Sequence, residues 1–363
     1  MTAETYHRPP RRAARHRAAI GMATIVLVAA ACSGGHKKAL PTTTTVPPTT
    51  TLPPTTTTTL PPPTFPLTGM PAKNAAQLHS PAVVVKIDNV WPARPQTGID
   101  LADVVYDAEV EGGLSRLAAV FQSNYPSSVG PIRSGRLTDE GVADDLNHPV
   151  LVFAGTNAIF LPILEAQPVT AVTENSNPGV FNRVGFNAPH NLYANVPTLA
   201  ALSRTHTAPT PLFSFLAAGR SFGGAGAVPA AGVSFSFPAA SVGWAWDAAT
   251  GRWNRTQDGA PDVVVSGRQI SATNVVIYFV PYITSGIASG EGVPDAPIPE
   301  GLLTGTGNAW VFSGGKVVKG TWTRAGLTTV ATYKDAAGRP ISLARGNTWV
   351  ELAPVGTLPV ITP

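Results

Sequence analysis

Three carboxylates alternate with apolar residues in one short segment of the chain. In the stretch VVYDAEVEGGLSRLAAVF (104–121), Asp107, Glu109 and Glu111 precede two glycines, after which the chain continues to Arg116. Residues two apart on a strand share a face, so neighbouring carboxylates there lie about 7 Å apart. Paired carboxylates at roughly this distance suit glycoside cleavage, in which one is the acid and the other the base or nucleophile. The segment therefore predicts either an acid/base site or the solvated face of a hairpin.

The double glycine at 112 and 113 predicts how this hairpin is paired. Glycine supplies the positive φ angles that a tight two-residue turn requires. In that register Glu109 lies opposite Arg116, all three acids share one face with this arginine, and the intervening apolar residues share the other face. A cross-strand pair of this kind contributes under about 1 kcal/mol. Three acids against one arginine leave surplus negative charge, which Arg133 or Arg136 would relieve by folding over it.

Four arginines lie in segments punctuated by glycine or proline, which present side chains from loops. The arginine fork suits carboxylate or phosphate ligands. Two of the four precede a helix predicted at 138–146, and the free N–H groups at a helix start attract anions. The alternative is structural ion pairing to Asp88, Asp103 or Glu111. We predict a ligand-binding set that consists of Arg94, Arg116, Arg133, Arg136, Glu111, His190 and Asn191.

His190 stands in a loop between Pro189 and Asn191. A histidine in this setting acts either as a general base or as a loop anchor that donates to a carbonyl. If the protein is an enzyme, Glu109, Glu111 and His190 are the candidate catalytic residues. No second histidine stands at metal-ligand spacing, and the sequence has no serine-nucleophile, phosphate-loop or dinucleotide motif. We therefore expect no metal and no cofactor.

The elements that would position these residues differ between the two halves of the globular region. Strand and helix patterns alternate over residues 72–215, which predicts a mixed α/β N-terminal domain. A linker rich in glycine and alanine follows at 216–232. Residues 233–363 predict a mainly β C-terminal domain, which either forms its own core or completes the sheet of the first half. Its tryptophans fill a β core more often than they stack on sugars. The predicted fold class is α+β.

The first 31 residues predict a signal peptide. Five arginines lead into an apolar run that ends in small residues. This run is shorter than the roughly 20 residues that cross a bilayer. The pair Arg11 and Arg12 is a feature of twin-arginine export signals, but the rest of that motif is absent. The sequence therefore favours the general secretory route.

Cys32 is the only cysteine of the chain and directly follows three alanines. This arrangement resembles a bacterial lipobox, in which the thiol is acylated, with palmitate among the usual chains, and becomes the new N-terminus. Ala29 departs from the leucine that such motifs usually carry. The alternative is a secreted protein with a stray cysteine, whose thiol would have no disulfide partner in an oxidising compartment. We predict an extracytoplasmic protein anchored to the cell membrane through Cys32.

Residues 32–71 predict a disordered stalk behind this anchor. The part from Leu40 to Pro66 is almost entirely threonine and proline. Such a segment buries too little apolar surface to offset its ordering entropy. Proline favours extended polyproline geometry, at about 3 Å per residue. The stalk would therefore hold the globular region several nanometres from the membrane.

The net charge of the chain belongs to its signal peptide. The first 31 residues hold five arginines and one glutamate, a net charge of +4, and the whole chain also carries a formal charge of +4. The remainder is therefore neutral. Nucleic-acid binding needs a basic face that neutralises phosphates. We expect no nucleic-acid partner.

Five motifs that occur in order indicate a family. They are ARPQTG (93–98), ADVVYDAEVEGGLSR (102–116), GPIRSGR (130–136), PHNLY (189–193) and RGNTWVEL (345–352). Together they resemble the YerB-like lipoproteins over nearly all of residues 75–363. The resemblance implies a membrane-anchored bacterial envelope protein with paired N- and C-terminal domains and no assigned activity. Asp107 departs from the glutamate expected in the family and keeps an acid with a shorter reach.

Two functions follow as hypotheses. The first is an envelope lipoprotein without catalytic activity that binds a wall polymer, a glycan or a protein partner through an arginine-containing cleft between its domains. The second is a hydrolase or transferase that acts on envelope glycans with Glu109 or Glu111 and His190. Both require the predicted site residues to converge in one concave pocket.

Overall fold

Runs of β-branched and aromatic residues form most of the regular structure, as expected of side chains that pack well on a pleated surface. The structure, a computed structural model, describes residues 63–73, 75–223, 226–288 and 297–363. These residues form one compact unit. The predicted signal peptide, Cys32 and the stalk as far as residue 62 lie outside the described residues.

The strands are numbered along the chain. Those of the N-terminal half are β1 (Val83–Ile87), β2 (Val104–Glu109), β3 (Ser115–Phe121), β4 (Val150–Phe153), β5 (Thr170–Thr173), β6 (Phe181–Arg183) and β7 (Leu192–Ala194). Those of the C-terminal half are β8 (Ala227–Pro229), β9 (Gly232–Phe237), β10 (Ala240–Asp247), β11 (Arg252–Gln257), β12 (Ala260–Pro261), β13 (Ser271–Ala272), β14 (Asn274–Val280), β15 (Tyr282–Ala288), β16 (Pro297–Gly301), β17 (Gly305–Ser313), β18 (Lys316–Arg324), β19 (Thr332–Asp335), β20 (Thr348–Pro354) and β21 (Val360–Thr362).

The helices are short. The α-helices are α1 (Thr138–Ala143), α2 (Leu161–Glu165) and α3 (Val196–Ala200). Turns of 3-10 helix occur at Ala75–His79, Trp91–Ala93, Ile99–Leu101, Glu111–Gly113 and Pro178–Val180. No helix among the described residues is long and apolar enough to cross a membrane.

One sheet runs through both halves of the chain. Among the described residues it has eleven strands, in the order β19-β18-β17-β14-β20-β2-β3-β1-β4-β5, with β8 beside β18. Strand β20, from the end of the chain, lies between β2 and β14 and is parallel to both. The C-terminal half therefore completes the sheet of the N-terminal half, which is the second of the two arrangements that the sequence left open.

Each face of this central sheet is covered by a different layer. On one face, which we call the sheet side, lies a second sheet in the order β12-β11-β10-β9-β21, with β13 beside β11. Val85, Leu117 and Trp349 of the central sheet pack there with Trp244 and Trp253. On the other face, the helix side, residues of α1 and α2 and the segment 211–222 pack on the central sheet. Four of the C-terminal tryptophans are buried, in agreement with their predicted core role: Trp244, Trp253, Trp322 and Trp349.

The predicted α+β class holds only in part, because the fold is mainly β and the N-terminal half is not clearly mixed α/β. The helix predicted at 138–146 ends at Ala143 because Asn147 and His148 take positive φ angles of 57° and 63°, which a right-handed helix does not accommodate. Prolines at the first turns of α2 and α3 are compatible with a helix start but not with its interior. Helices α1 and α2 do follow β3 and β4 in chain order, but they are only six and five residues long and cover one face of a mainly β fold.

Ordered structure extends into both segments that were predicted to be irregular. Phe65 and Leu67, within the predicted stalk, are buried because they pack against the globular core. In the predicted linker, Phe222 is buried and β8 pairs with β18. Ordered chain therefore begins before residue 72, and the linker contributes one strand.

Candidate functional site

Strands β2 and β3 pair one residue away from the predicted register. Glu109 lies opposite Ser115 instead of Arg116. The loop is the cause, since residues 111–113 form a three-residue turn in place of the predicted two-residue turn. Both glycines do adopt the expected positive φ, of 70° and 71°. A shift of one residue moves every side chain of the returning strand to the other face of the sheet.

This shift separates Arg116 from Asp107. Arg116 lies opposite Ala108 on the helix side, whereas Asp107 lies opposite Leu117 on the sheet side. The prediction that three acids share a face with Arg116 is therefore wrong. The acids and arginines of the motifs belong to three separate groups.

The first group, the Glu111 cluster, comprises Glu111, Arg116, Arg136, Lys86 and Asp139 on the helix side. Arg136 donates from Nε to Glu111, which is the contact expected for an arginine of the GPIRSGR motif. A terminal nitrogen of Arg116 lies 3.9 Å from the same carboxylate. These three side chains are 3–6% exposed. Burial to this degree makes them parts of the core and leaves little surface for a ligand.

Lys86 and Asp139 complete the Glu111 cluster. Lys86 Nζ lies 2.7 Å from Asp139 Oδ1, and Asp139 Oδ2 accepts from the backbone N–H of Arg136 at 2.7 Å. Burial lowers the pKa of the Lys86 ammonium, while Asp139 opposes that shift. The predicted anion site before α1 is therefore occupied by a carboxylate of the chain itself.

The second group, the Asp88 surface, comprises Asp88, Trp91, Arg94, Arg133 and His190. His190 Nδ1 lies 2.8 Å from Asp88 Oδ2, and Arg133 Nε forms an ion pair with the same oxygen at 3.1 Å. The Asp88 side chain is only 1% exposed, whereas those of Arg133 and His190 are 17% and 21% exposed. The Asp88 carboxylate is therefore hidden, while the Arg133 and His190 side chains are partly exposed.

Arg94 and Trp91 belong to the loop that Asp88 begins, and we count them with the Asp88 surface for that reason. Arg94 donates to Asp258 Oδ2 at 2.7 Å, and its guanidinium carbon lies 5.5 Å from the centre of the Trp91 ring. Trp91 is 75% exposed. Loop 88–98 therefore presents a flat aromatic ring beside a cation, and Asp258 ties it to the C-terminal half.

Two predicted site residues lie apart from both groups. Asn191 accepts from Arg183 at 2.8 Å and makes no described contact with Asp88. Glu109 is half-buried, and its backbone N–H donates to the Tyr282 hydroxyl at 3.1 Å. Burial raises the pKa of Glu109. The seven predicted ligand-binding residues thus form two groups and an outlier instead of one concave pocket.

A third group, the Arg255 cluster, lies on the sheet side and comprises Arg255, Asp107, Asp262 and Glu351. Arg255 donates to Asp262 and, at 2.6 Å, to Asp107, and its Nε lies 3.9 Å from Glu351. The guanidinium also lies 4.8 Å from the Trp349 ring centre. All four charged side chains are 0–1% exposed. One cation therefore faces three carboxylates without solvent.

The excess acid of the Arg255 cluster is balanced by a proton. Burial, together with the neighbouring Asp107, raises the pKa of Glu351 to about 8, and burial likewise raises the pKa of Asp107. The two residues are register partners on parallel strands β2 and β20. Among the described residues, Asp107 Oδ1 and Glu351 Oε2 have no donor. A proton held between these two oxygens satisfies both.

Within the described residues, no set of three histidine, cysteine, aspartate or glutamate side chains could hold a metal ion. What the three groups offer chemically is ion pairing and hydrogen bonding. Only the Asp88 surface offers it to a molecule in solution.

Family models match most of the described chain. Residues 67–208 match the N-terminal domain, and residues 233–350 the C-terminal domain, of a protein family of unknown function, DUF3048. The chain belongs to the DUF3048 family. Both matched regions contribute strands to the central sheet, so the two DUF3048 domains share one structural unit here.

One relative of this DUF3048 protein is YerB of Bacillus subtilis (strain 168), which is named a lipoprotein. The sequences are 44% identical over 71 residues, or 20% of this chain and 21% of YerB, so the match spans about a fifth of the relative's length. The crystal structure of YerB is similar with a TM-score of 0.67 and 22% identity, over 82% of this chain and 99% of that chain. At this identity the structural match shows a shared fold.

Sequence reasoning missed the Arg255 cluster of this DUF3048 protein. The signal was present: Asp107 and Glu351 each interrupt an otherwise apolar strand, and Arg255 occupies an inward position of the alternating strand β11. A lone charge in a buried strand needs a partner. The sequence does not say which strand supplies that partner, because Asp107 and Arg255 lie 148 positions apart along the chain.

Proposed function

We propose that this protein is a membrane-anchored lipoprotein of the cell envelope that binds an anionic wall glycan through the Asp88 surface. The lipobox-like sequence at Cys32 and the threonine- and proline-rich segment behind it support anchoring and display away from the membrane. YerB, to which the chain is similar, is named a lipoprotein. The chain after its signal peptide has no net charge. An anionic wall polymer would therefore be held by the local cations of this surface and not by an extended basic face of the kind that nucleic acid requires.

Trp91 is the observation that carries this proposal. Its ring is 75% exposed, although four tryptophans of the same chain are buried. An exposed indole offers a flat apolar face of the size of a sugar ring. The Arg94 guanidinium lies over one face of this ring, 5.5 Å from its centre, and places a positive charge beside the indole.

The charges around Trp91 support a ligand with carboxylate or phosphate groups. Arg133 and His190 both contact the buried carboxylate of Asp88, so the acid is hidden and the partly exposed guanidinium of Arg133 gives the surface a positive charge. Arginine pairs with carboxylate and phosphate through two parallel hydrogen bonds. An acidic polysaccharide combines such groups with sugar faces, which matches the pairing of cations and indole.

The Asp88 surface also lies where the two halves of the chain meet. Arg94 binds Asp258, and the Asn89 side chain donates to Gln257 at 3.3 Å. The backbone N–H of Val265 donates to the Gln96 carbonyl at 2.9 Å. A ligand on this surface would contact residues of both DUF3048 domains. The proposed site therefore keeps the predicted position between the domains.

The hydrolase alternative has less support. Both carboxylate oxygens of Glu111 face arginines in a buried cluster. Among the described residues, the ring of His190 pairs with Asp88 and not with a glutamate. An acid/base pair needs access to substrate and a carboxyl group free to exchange its proton. The binding experiment below therefore includes glycan cleavage as one of its possible results.

A pull-down with wall material tests the proposal. The purified full chain is incubated with peptidoglycan and with isolated anionic wall glycans, and bound and released material are both measured. We expect the wild-type protein to sediment with an anionic glycan and to release no fragments. Trp91→Ala and Arg94→Ala should each reduce binding at least about fivefold, since each removes a contact worth about 1 kcal/mol or more.

Trp310→Ala is the matched control. Trp310 is partly buried and also lies beside a cation, with Lys319 Nζ 3.9 Å from its ring centre, but it belongs to β17, away from loop 88–98. Binding should survive this change. Equal loss in Trp310→Ala and Trp91→Ala would contradict a site at the Asp88 surface, and release of glycan fragments would favour the hydrolase.

A further inference from the structure

A groove with a volume of about 330 Å³ opens on the helix side of the molecule. Its floor is apolar and buried, and its rim is exposed. The floor residues are Leu212, Phe213, Tyr333 and Ile341, and the exposed rim includes Pro211, Ser214, Thr332, Lys334 and Pro340. None of these residues belongs to the Asp88 surface.

A small polar cavity lies at the base of this groove. The two share five lining residues, namely Leu212, Phe213, Val330, Ala331 and Tyr333. The cavity adds polar side chains, namely Tyr106, Asp145, Tyr278 and Arg324. It has room for about one group of the size of a water molecule. Groove and cavity thus form an apolar channel with a polar end.

The hydrogen bonds of this polar end are incomplete at two atoms. Arg324 is fully engaged: its Nε donates to the Thr329 carbonyl at 2.7 Å, its other nitrogens donate to two further backbone carbonyls, and it lies 3.1 Å from Asp145 Oδ2. The Tyr278 hydroxyl and Asp145 Oδ1 are both buried and have no partner among the described residues. Tyr278 is 2% exposed and Asp145 is 5% exposed.

The charges at the polar end select the kind of group that fits there. A cationic group would meet the guanidinium of Arg324, and an anionic group would meet the carboxylate of Asp145. A neutral group that both donates and accepts can bond to Asp145 Oδ1 and to the Tyr278 hydroxyl at once. The size of the cavity limits this group to a single heavy atom, which is the case for a hydroxyl.

We propose that the groove binds a small apolar molecule that carries one neutral hydroxyl group, with the hydroxyl in the cavity between Tyr278 and Asp145 and the apolar body against Phe213 and Tyr333. The site is independent of the Asp88 surface and of the proposed glycan binding. The aromatic side chains support a ring-shaped body, since Phe213 and Tyr333 lie with ring centres 5.9 Å apart.

Two probes that differ by one hydroxyl test this site. Binding of p-cresol and of toluene to the full chain is measured by ligand-observed NMR, with dissociation constants from titration. We expect p-cresol to bind about fivefold more tightly than toluene, as one added buried hydrogen bond permits. Tyr278→Phe should leave toluene binding unchanged and lower the ratio, because the cresol hydroxyl keeps only its bond to Asp145 Oδ1. Ala331→Trp, which fills the groove, should abolish binding of both probes.

The results divide clearly. Equal affinities of the wild-type protein for the two probes, or probe binding that persists in Ala331→Trp, would overturn the site. Tyr278→Phe should remain folded, because the removed hydroxyl makes no described hydrogen bond. If this variant does not fold, the wild-type ratio and a crystal structure with p-cresol decide instead, and a cresol hydroxyl placed away from Tyr278 and Asp145 would contradict the proposal.

Discussion

The Glu111 cluster and the Asp88 surface are built from arginines of the same motifs, yet they differ in access to solvent. Arg133 and Arg136 are three positions apart in GPIRSGR, and their side chains are 17% and 3% exposed. Arg136 serves a buried glutamate, whereas Arg133 covers a buried aspartate from outside. Arginine in a loop thus has two uses here, one inside the core and one at the surface. Burial, more than residue type, separates them.

The Arg255 cluster extends this comparison to complete burial. The Glu111 cluster places Lys86 and two arginines around two carboxylates, while the Arg255 cluster places one arginine among three carboxylates. Removing one partner of a buried ion pair leaves an uncompensated charge, which costs far more than the same loss at the surface. The three groups should therefore respond to substitution in the order of their burial.

The largest effect is expected for Arg255→Met. It removes the cation from between three buried carboxylates and should lower the free energy of unfolding by about 3–5 kcal/mol. Denaturant unfolding at pH 7 measures this loss. Arg252→Met is the matched control on the same strand, where the arginine is half-buried and bonds to Ser271 and Asn347. A loss in the control as large as in Arg255→Met would contradict the role given to burial.

A smaller loss is expected for Arg136→Met. Glu111 would keep only Arg116, at 3.9 Å, and the free energy of unfolding should fall by about 2–3 kcal/mol. The same denaturant titration applies. Arg133→Met tests the comparison from the surface, because the exposed edge of this arginine is already hydrated, and its cost should stay under about 1 kcal/mol. An equal loss of unfolding free energy in Arg136→Met and Arg133→Met would contradict the distinction between the buried and the surface arginine.

The pH dependence of stability reports the proton in the Arg255 cluster. The pKa of Glu351 is about 8 in the folded chain against an ordinary value of 4.5, so the folded state binds the extra proton between these values. This contribution is full below pH 4.5 and is lost as pH rises towards about 8, at up to ~1.4 kcal/mol per pH unit. Burial also raises the pKa of Asp103 to about 6 and of Asp145 to about 7, which adds to the same trend.

Glu351→Gln should flatten this pH dependence. The amide oxygen can accept from Trp244 Nε1, as Glu351 Oε1 does at 2.8 Å, and the amide nitrogen can donate to Asp107. Between pH 5 and pH 8 we expect the stability of the variant relative to wild type to rise by about 3–4 kcal/mol, because the variant lacks the slope of ~1.4 kcal/mol per pH unit that Glu351 contributes. Thermal melts across this range measure the difference. An unchanged slope would show that Glu351 does not carry the proton.

The smallest effect on stability is expected for Trp91→Ala. The ring is largely exposed, so its loss should change the free energy of unfolding by under about 0.5 kcal/mol. Unfolding curves for this variant, compared with those for Trp253→Ala, measure the contrast. Trp253 is fully buried, and its replacement should cost about 3–5 kcal/mol.

Local patterns predicted the individual strands better than their arrangement. The run of β-branched and aromatic residues at 275–280 forms most of β14, the glycine pair at 314 and 315 joins β17 to β18, and the side chain of Asn195 caps α3 by accepting from the backbone N–H of Thr198. These features depend on neighbouring residues. The hairpin register failed because it depends on one residue of loop length.

The arrangement of the sheet and the Arg255 cluster depend on contacts that the sequence pattern does not encode. Strand β20 pairs with β2 across more than two hundred positions of chain, and nothing in its composition names that neighbour. The face on which Asp107 lies follows from the register, and its partner Arg255 follows from the packing of the second sheet. The sequence therefore identified the arginines of the motifs as a set. It did not predict which of them are buried and which are exposed.

One pair of measurements on the same variants tests the central claim, that surface charges bind while buried charges hold the fold. For Arg94→Ala and Arg136→Met, both the free energy of unfolding and the affinity for an anionic wall glycan are measured. We expect Arg94→Ala to lose glycan binding while its free energy of unfolding falls by under about 1 kcal/mol. We expect Arg136→Met to keep glycan binding under conditions where it remains folded. Glycan affinity that is retained in folded Arg94→Ala and lost in folded Arg136→Met would contradict the central claim.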